Sequence, residues 1–160
     1  MLPENLIRMP SVILVQSWYE RSFQEILEFE KCDSEDEKVR SNFTQVLVKI
    51  RNRHSNVVPT MAQGVLELKE THTVDQQTEH SIQYFLHRFY MSRISIRMLI
   101  NQHVTLFGSE GVNQSGFVGC VDPACNVSMV VEDAFENAKF LCDQYYLTSP
   151  DLVIEQHNGE

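Results

Sequence analysis

The sequence predicts an all-α fold, an antiparallel four-helix bundle with a long kinked second helix. Three observations predict it. Apolar residues recur at helical spacing along four long segments. The alternating pattern of half-buried strands is scarce, and the connections between segments are short, which favours neighbouring helices running in opposite directions. A chain of 160 residues with 42% apolar and 22% charged side chains suffices for one compact domain with its own core.

The first helix is expected from about Ser11 to Lys31. Val12, Val15, Tyr19, Ser22 or Phe23, and Ile26 share one stripe, widened by Trp18 and Phe29, and Pro10 stands just ahead, where proline is tolerated. Ser34-Glu-Asp-Glu37 has capping-box spacing and opens the second helix. Val39, Phe43, Val46 or Leu47, Ile50, His54, and Val57 or Val58 follow on one face. Pro59 then interrupts, lacking a backbone donor and pressing its ring toward the Ser55 carbonyl. The expectation is a kink, with the helix resuming through Met61, Val65 and Leu68; a full break into two helices is the alternative.

Thr73-Val-Asp-Gln76 is a second capping-box candidate. Behind it Ile82, Phe85 or Leu86, Phe89, Ser92 or Arg93, Ile96, Leu99 or Ile100, and His103 form the third helix, which Gly108 ends. Gly108 to Asp122 reads as a loop and Asp122 to Asn126 as a turn. The fourth helix is expected from Val127 to Tyr146, with Val130, Val131, Ala134, Ala138, Leu141, Cys142 and Tyr145 on one face, stopped by Ser149-Pro150. Leu152-Val-Ile154 resembles the start of a strand, which is not stable without a partner. The chain thus reads as the front of a longer protein: residues 1–148 a helical domain, residues 149–160 a linker or the first strand of a following domain.

The formal net charge of −9 argues against sequence-independent nucleic-acid binding. Its distribution is more informative. Six of the thirteen basic residues are Lys49, Arg51, Arg53, Arg88, Arg93 and Arg97, and no Asp or Glu occurs between His80 and Ser109. Arginines on apolar segments without local acids require a distant partner or a bound anion. Arg93 and Arg97 stack one turn apart, with Ser92, Ile96 and Ile100 around them. Ile50, Arg51 and His54 cluster similarly on the second helix, and Tyr19 and Ser22 on the first. If three helices turn these groups together, an apolar pocket with guanidinium, imidazole and hydroxyl donors results, suited to a small organic acid. The competing reading is that arginine stems lie on the core with their heads in water, and Arg53 and Arg88 are read so. His54 equally reads as a satisfied core histidine.

Cys32, Cys120, Cys125 and Cys142 lack zinc spacing and read as reduced thiols of a cytosolic or organellar interior. No signal peptide and no membrane-spanning run is present. A Gly-rich phosphate loop, Gly-x-Ser-x-Gly and His-Glu-x-x-His are all missing. No catalytic residue, cofactor or metal is therefore expected within this chain.

Several stretches carry a family resemblance: Ser11-Val-Ile-Leu-Val-Gln-Ser-Trp-Tyr19, Ile50 to Val65, Ile82-Gln-Tyr-Phe-Leu86, Arg88 to His103, and Leu141-Cys-Asp-Gln-Tyr-Tyr146. With them the chain closely resembles, over nearly its whole length, the N-terminal part of mitochondrial pyruvate dehydrogenase kinases. The resemblance implies a four-helix regulatory domain followed by an ATP-binding domain of the histidine-kinase type. It implies a protein serine/threonine kinase of the mitochondrial matrix that inactivates the pyruvate dehydrogenase complex by phosphorylating its E1 component. Docking on E2 lipoyl domains, a homodimer formed through the second domain, and use of ATP and Mg by the full-length enzyme are implied as well. So is an inhibitory site for pyruvate-like acids, which falls on Tyr19, Ser22, Ile50, Arg51, His54, Ser92, Arg93, Ile96, Arg97 and Ile100.

No Asn-box glutamate and no Asp-x-Gly-x-Gly follows Glu160, so the chain alone is expected neither to bind ATP nor to transfer phosphate. The segment that precedes Met1 in the family and contributes to the lipoyl pocket is also expected to be missing. His87 stands where the family usually has an aspartate, and Ser55-Asn56 where it usually has Asn-Asp, which makes the surroundings of Arg88 and His54 more positive. The alternatives are a lipoyl-docking module without a small ligand, the branched-chain ketoacid dehydrogenase kinase sister family, and a histidine phosphocarrier using His54 or another histidine.

Overall fold

The structure is a computed structural model that describes residues 4–108 and 116–157. Six helices occur among the described residues: α1 (Glu4–Ile7), α2 (Pro10–Leu27), α3 (Glu37–Arg53), α4 (Val57–Thr71), α5 (Gln76–Phe107) and α6 (Val127–Tyr146). They fall into two compact units, Met1–Val121 and Asp122–Glu160.

Within the first unit, α2 starts at Pro10 itself, whose fixed φ suits a first helical position. It ends at Leu27, short of Lys31, and Glu28 to Cys32 continue as turns. The expected Ser34 cap is corrected: the Asp36 carboxylate caps α3 by accepting from the Lys38 amide at 2.8 Å. Asp75 caps α5 in the same way, accepting from the Thr78 amide at 2.7 Å. Gly108 terminates α5 in an extended conformation, φ −85°.

The kinked second helix is also corrected. The chain breaks at His54–Asn56 into α3 and α4. Pro59 occupies the third position of α4, where an amide would have no helical acceptor in any case. A continuous helix would drive its ring into the Ser55 carbonyl, so the interruption falls upstream of the proline. His54 closes α3 at φ −86°, ψ 8°, and its carbonyl projects from the break.

Contacts along α2 step backwards through α4 and α3. The Ser11 amide and hydroxyl donate to the Glu67 carboxylate at 3.1 and 2.6 Å, Ser22 meets His54, Glu25 meets Arg53, and Phe29 stacks edge-on against Phe43. Gly64 lets α2 and α4 approach closely; a Cβ there would lie 2.5 Å from Val12 Cγ2. Contacts of α3 step backwards through α5: the Arg40 guanidinium lies over Phe107, Thr44 bonds His103 at 3.0 Å, and the His54 carbonyl meets Arg93.

The buried apolar residues form two clusters. The first joins Leu6, Met9, Val12, Val15, Val57, Met61, Leu68 and Ile82, with Tyr19 and Phe89 among those packed against it. The second joins Leu47, Ile50, Ile100 and Val104. Along α2, α3 and α5 alike, the buried polar residues Ser22, His54 and Arg93 follow or divide these clusters.

In the second unit, Asn126 caps α6 by accepting from the Met129 amide at 3.3 Å, and Leu147 ends it in the left-handed region, φ 57°. Residues 151–157 form no strand, as expected of a strand start at Leu152–Ile154 that has no partner strand among the described residues. The Gln156 side chain bonds the Ser128 hydroxyl instead. The expected loop from Gly108 to Asp122 is described at residues 108 and 116–122, where Val118 and Val121 form an isolated antiparallel bridge; residues 109–115 lie outside the described residues.

Candidate functional site

Helix spacing places Tyr19, Ser22 and Glu25 along one side of α2, and the helix break sets His54 against them. The imidazole Nε2 lies 3.0 Å from Ser22 Oγ and 3.3 Å from the Trp18 carbonyl. The Tyr19 ring packs on the imidazole with centroids 4.3 Å apart and meets Phe89 of α5 edge-on at 5.8 Å. From α5, Arg93 Nη2 donates to the His54 carbonyl at 2.8 Å. Because the helix stops there, that carbonyl accepts from Arg93 as well as, at 3.4 Å, from the Val57 amide, and a cation at a helix C-terminus is favourable.

Arg93 is 8% exposed, and among the described residues its Nε and Nη1 find no hydrogen-bond partner. A guanidinium carries all its N–H groups as donors, and leaving them unmet in the interior is costly. Burial pulls its proton affinity below the ordinary range, Tyr19 opposes this, and Arg97 adds to it. Burial likewise lowers the His54 pKa; its bond to Trp18 opposes the shift, while Arg53, Arg93 and Arg97 reinforce it. Burial raises the Tyr19 pKa against the opposite pull of Arg93 and Arg97.

Four of the sequence-expected residues are thus joined, namely Tyr19, Ser22, His54 and Arg93, with Arg97 near enough to act on three of them electrostatically. Ile50 and Ile100 are buried together in the second apolar cluster. Arg51 is half-buried on α3, while Ser92 and Ile96 are exposed, Ile96 by 43%.

Two participants were not anticipated. Arg53 does not hold its head in water. Its Nη1 donates to Ser22 Oγ at 2.7 Å, and its Nη2 contacts both Glu25 oxygens at 2.7 and 2.9 Å. The Arg53 bond holds the Glu25 carboxyl below the usual carboxylate range. The available signal was Glu25 itself, an acid three residues after Ser22. Arg88 does lie at the surface, donating to the Tyr84 hydroxyl at 3.2 Å with its guanidinium over that ring. Asn56 is the residue before α4 and makes no side-chain cap bond, and His87 is exposed.

Among the described residues, no group of His, Cys, Asp and Glu could hold a metal ion, and no helix is long and apolar enough to cross a membrane. What the arrangement presents chemically is a buried guanidinium with two donor nitrogens that have no hydrogen-bond partner among the described residues.

Comparison with known proteins supplies the lineage. Residues 1–122 match the family model described as mitochondrial branched-chain alpha-ketoacid dehydrogenase kinase. The chain is 57% identical over 159 residues to pyruvate dehydrogenase (acetyl-transferring) kinase isozyme 4, mitochondrial, of Rattus norvegicus, covering 99% of this chain and 39% of that relative. It is 55% identical over 161 residues to isozyme 3 of Homo sapiens (100% and 40%) and 53% identical over 163 residues to human isozyme 1 (100% and 37%). The chain spans about two fifths of the length of these curated relatives. Their names do not favour the branched-chain alternative. By its match to the family model, the chain belongs to this family of mitochondrial α-ketoacid dehydrogenase kinases.

Proposed function

We propose that this chain is the N-terminal regulatory domain of a mitochondrial pyruvate dehydrogenase kinase, and that it binds a pyruvate-like carboxylate at Arg93, His54, Tyr19 and Ser22. Its first unit belongs, in this reading, to an antiparallel four-helix bundle, as the opposed runs of contacts among α2, α3, α4 and α5 support. The observation that carries the binding site is the Arg93 guanidinium, buried with two donor nitrogens unpartnered. A carboxylate accepts from such a pair through short charge-assisted bonds. In this reading Ile50 and Ile100, which are buried together, would form one apolar wall and the Tyr19 and Phe89 rings, which pack on each other, another. Affinity at metabolite level, roughly millimolar, requires only about 4 kcal/mol.

The full-length protein acts, on this reading, as a serine/threonine kinase in the mitochondrial matrix. It uses ATP and Mg and inactivates the pyruvate dehydrogenase complex by phosphorylating E1, docked as a homodimer on E2 lipoyl domains. Residues 149–160 lead into its ATP-binding domain. The names of the matched relatives support the kinase, its substrate complex and the organelle. The acid regulates by favouring one packing of α2, α3 and α5 over another.

Calorimetric titration of the 160-residue chain with dichloroacetate tests the site. Saturable heat that disappears in Arg93→Ala is expected. If the unmodified chain gives no saturable heat, a docking module without a small ligand takes its place.

A further inference from the structure

We propose that Arg53 is a positioning residue for this site: through Ser22 it commits His54 to carrying its first proton on Nε2, so that the ring receives a carboxylate only after a second proton binds Nδ1. The inference rests on the carboxylate-binding reading and specifies its regulation.

The hydrogen bonds around Ser22 leave little choice. A serine hydroxyl has one hydrogen and two lone pairs. Arg53 Nη1, 2.7 Å away, can only donate, and so takes one lone pair. The Ser22 hydrogen goes to the Trp18 carbonyl at 2.7 Å. The second lone pair then faces His54 Nε2 at 3.0 Å, and the same nitrogen has the Trp18 carbonyl at 3.3 Å. A ring nitrogen between two acceptors is satisfied as N–H. In the opposite tautomer its lone pair would oppose the Trp18 carbonyl, and the single Ser22 hydrogen would have to abandon one of its two acceptors. Both Glu25 oxygens hold the Arg53 guanidinium in place, so Ser22 cannot readily be released from it.

Among the described residues, both of the ring's hydrogen bonds use Nε2; in the proposed complex Nδ1 meets the ligand. In the neutral ring Nδ1 is an acceptor, which repels a carboxylate; in the imidazolium it is a donor. The charged and titratable groups around the ring are Tyr19 from α2, Arg53 from α3, whose guanidinium is held by Glu25 of α2, and Arg93 and Arg97 from α5, with Tyr90 acting on Arg93; Val57 and Met61, which α4 contributes to the core packed against Tyr19, are apolar. Burial, and after it the neighbouring guanidiniums, disfavour a positive charge on the free ring. A bound carboxylate offsets that repulsion, so acid and proton bind together. The proton comes from solvent, and the site responds to pH as well as to acid concentration.

Dichloroacetate titrations at pH 7.5 in buffers of different ionisation enthalpy measure proton uptake as the slope of observed heat against that enthalpy. The expected uptake is about one proton per acid bound, with affinity falling about tenfold per pH unit above neutrality. In Arg53→Ala the uptake falls well below one. Two-bond 1H–15N spectra of the unmodified chain, which need neither ligand nor variant, are expected to show neutral His54 protonated on Nε2. Saturable heat with zero buffer dependence overturns the inference and leaves the carboxylate site standing; no saturable heat overturns both. A His54 protonated on Nδ1 in the free chain removes the role of Arg53 whatever binds.

Discussion

Ser22 shows how much a single buried hydroxyl can coordinate. It is 4% exposed and joins Arg53, His54 and the Trp18 carbonyl through one oxygen. Replacing it with alanine leaves a guanidinium donor and an imidazole nitrogen facing a methyl group. Ser22→Ala is expected to lower stability by about 1–3 kcal/mol in urea unfolding. Ser17→Ala, on the exposed side of the same helix where the hydroxyl only returns to the Leu14 carbonyl, should stay within about 0.5 kcal/mol. Equal effects at the two positions would contradict the network. Such a node is hard to see in sequence, because Ser22 occupies a stripe position that Phe23 could equally fill, and only the partner helix decides between them. Arg93 and His54 were easier to single out, since a cation on an apolar face needs a partner and none was local. Their partners were not legible. Arg93 uses a backbone carbonyl freed by the helix break, and Arg53 uses an acid 28 residues away.

At the scale of elements, periodicity made the long helices legible while their caps shifted: Asp36 and Asp75 cap α3 and α5 where Ser34 and Thr73 are the sequence candidates. The fourth helix expected from Val127 to Tyr146 has the same bounds as α6. The α3–α4 break departs from the expected kink, and its cause is local: a proline sits without strain in a first turn, so the chain stops after Arg53 and restarts the helix around Pro59. The departure bears on the site, because a continuous helix would have consumed the His54 carbonyl that anchors Arg93. The four-residue α1 escaped notice because so short a segment has no periodicity to read. Gly64 tests the close packing of α2 on α4. Alanine improves helix propensity by about 1 kcal/mol, but its methyl would meet a β-branched Val12 that cannot swing aside. Gly64→Ala is therefore expected to be destabilising by about 1–2 kcal/mol net. A stabilised variant in denaturant unfolding would show that the two helices have room to separate.

For the molecule as a whole, the buried imidazole of His54 and the half-buried one of His103 shape the response to pH near neutrality. Burial lowers the pKa of His54 and of His103, the latter held by Thr44 between Phe43 and Phe107. Above the ordinary imidazole pKa of about 6.5, both folded and unfolded chains hold these rings neutral, and they contribute no pH dependence. As the pH falls below that value, the unfolded chain binds protons that the folded chain refuses, so stability declines. Thermal unfolding is expected to be flat between about pH 8 and 7 and to shift downward below about 6.5; a midpoint that rises on acidification to about pH 6 would contradict the lowered proton affinity of both rings. Added dichloroacetate should recover part of the loss, because the proposed complex takes up the proton that the free fold excludes.

The most direct measurement is an NMR titration of the arginine Nε–H resonances with dichloroacetate. The Arg93 signal should move along a saturating curve, with the signals of exposed Arg21 and Arg88 nearly still. Equal, non-saturating drift of every arginine, as from bulk salt, would mean that the buried guanidinium does not receive an acid.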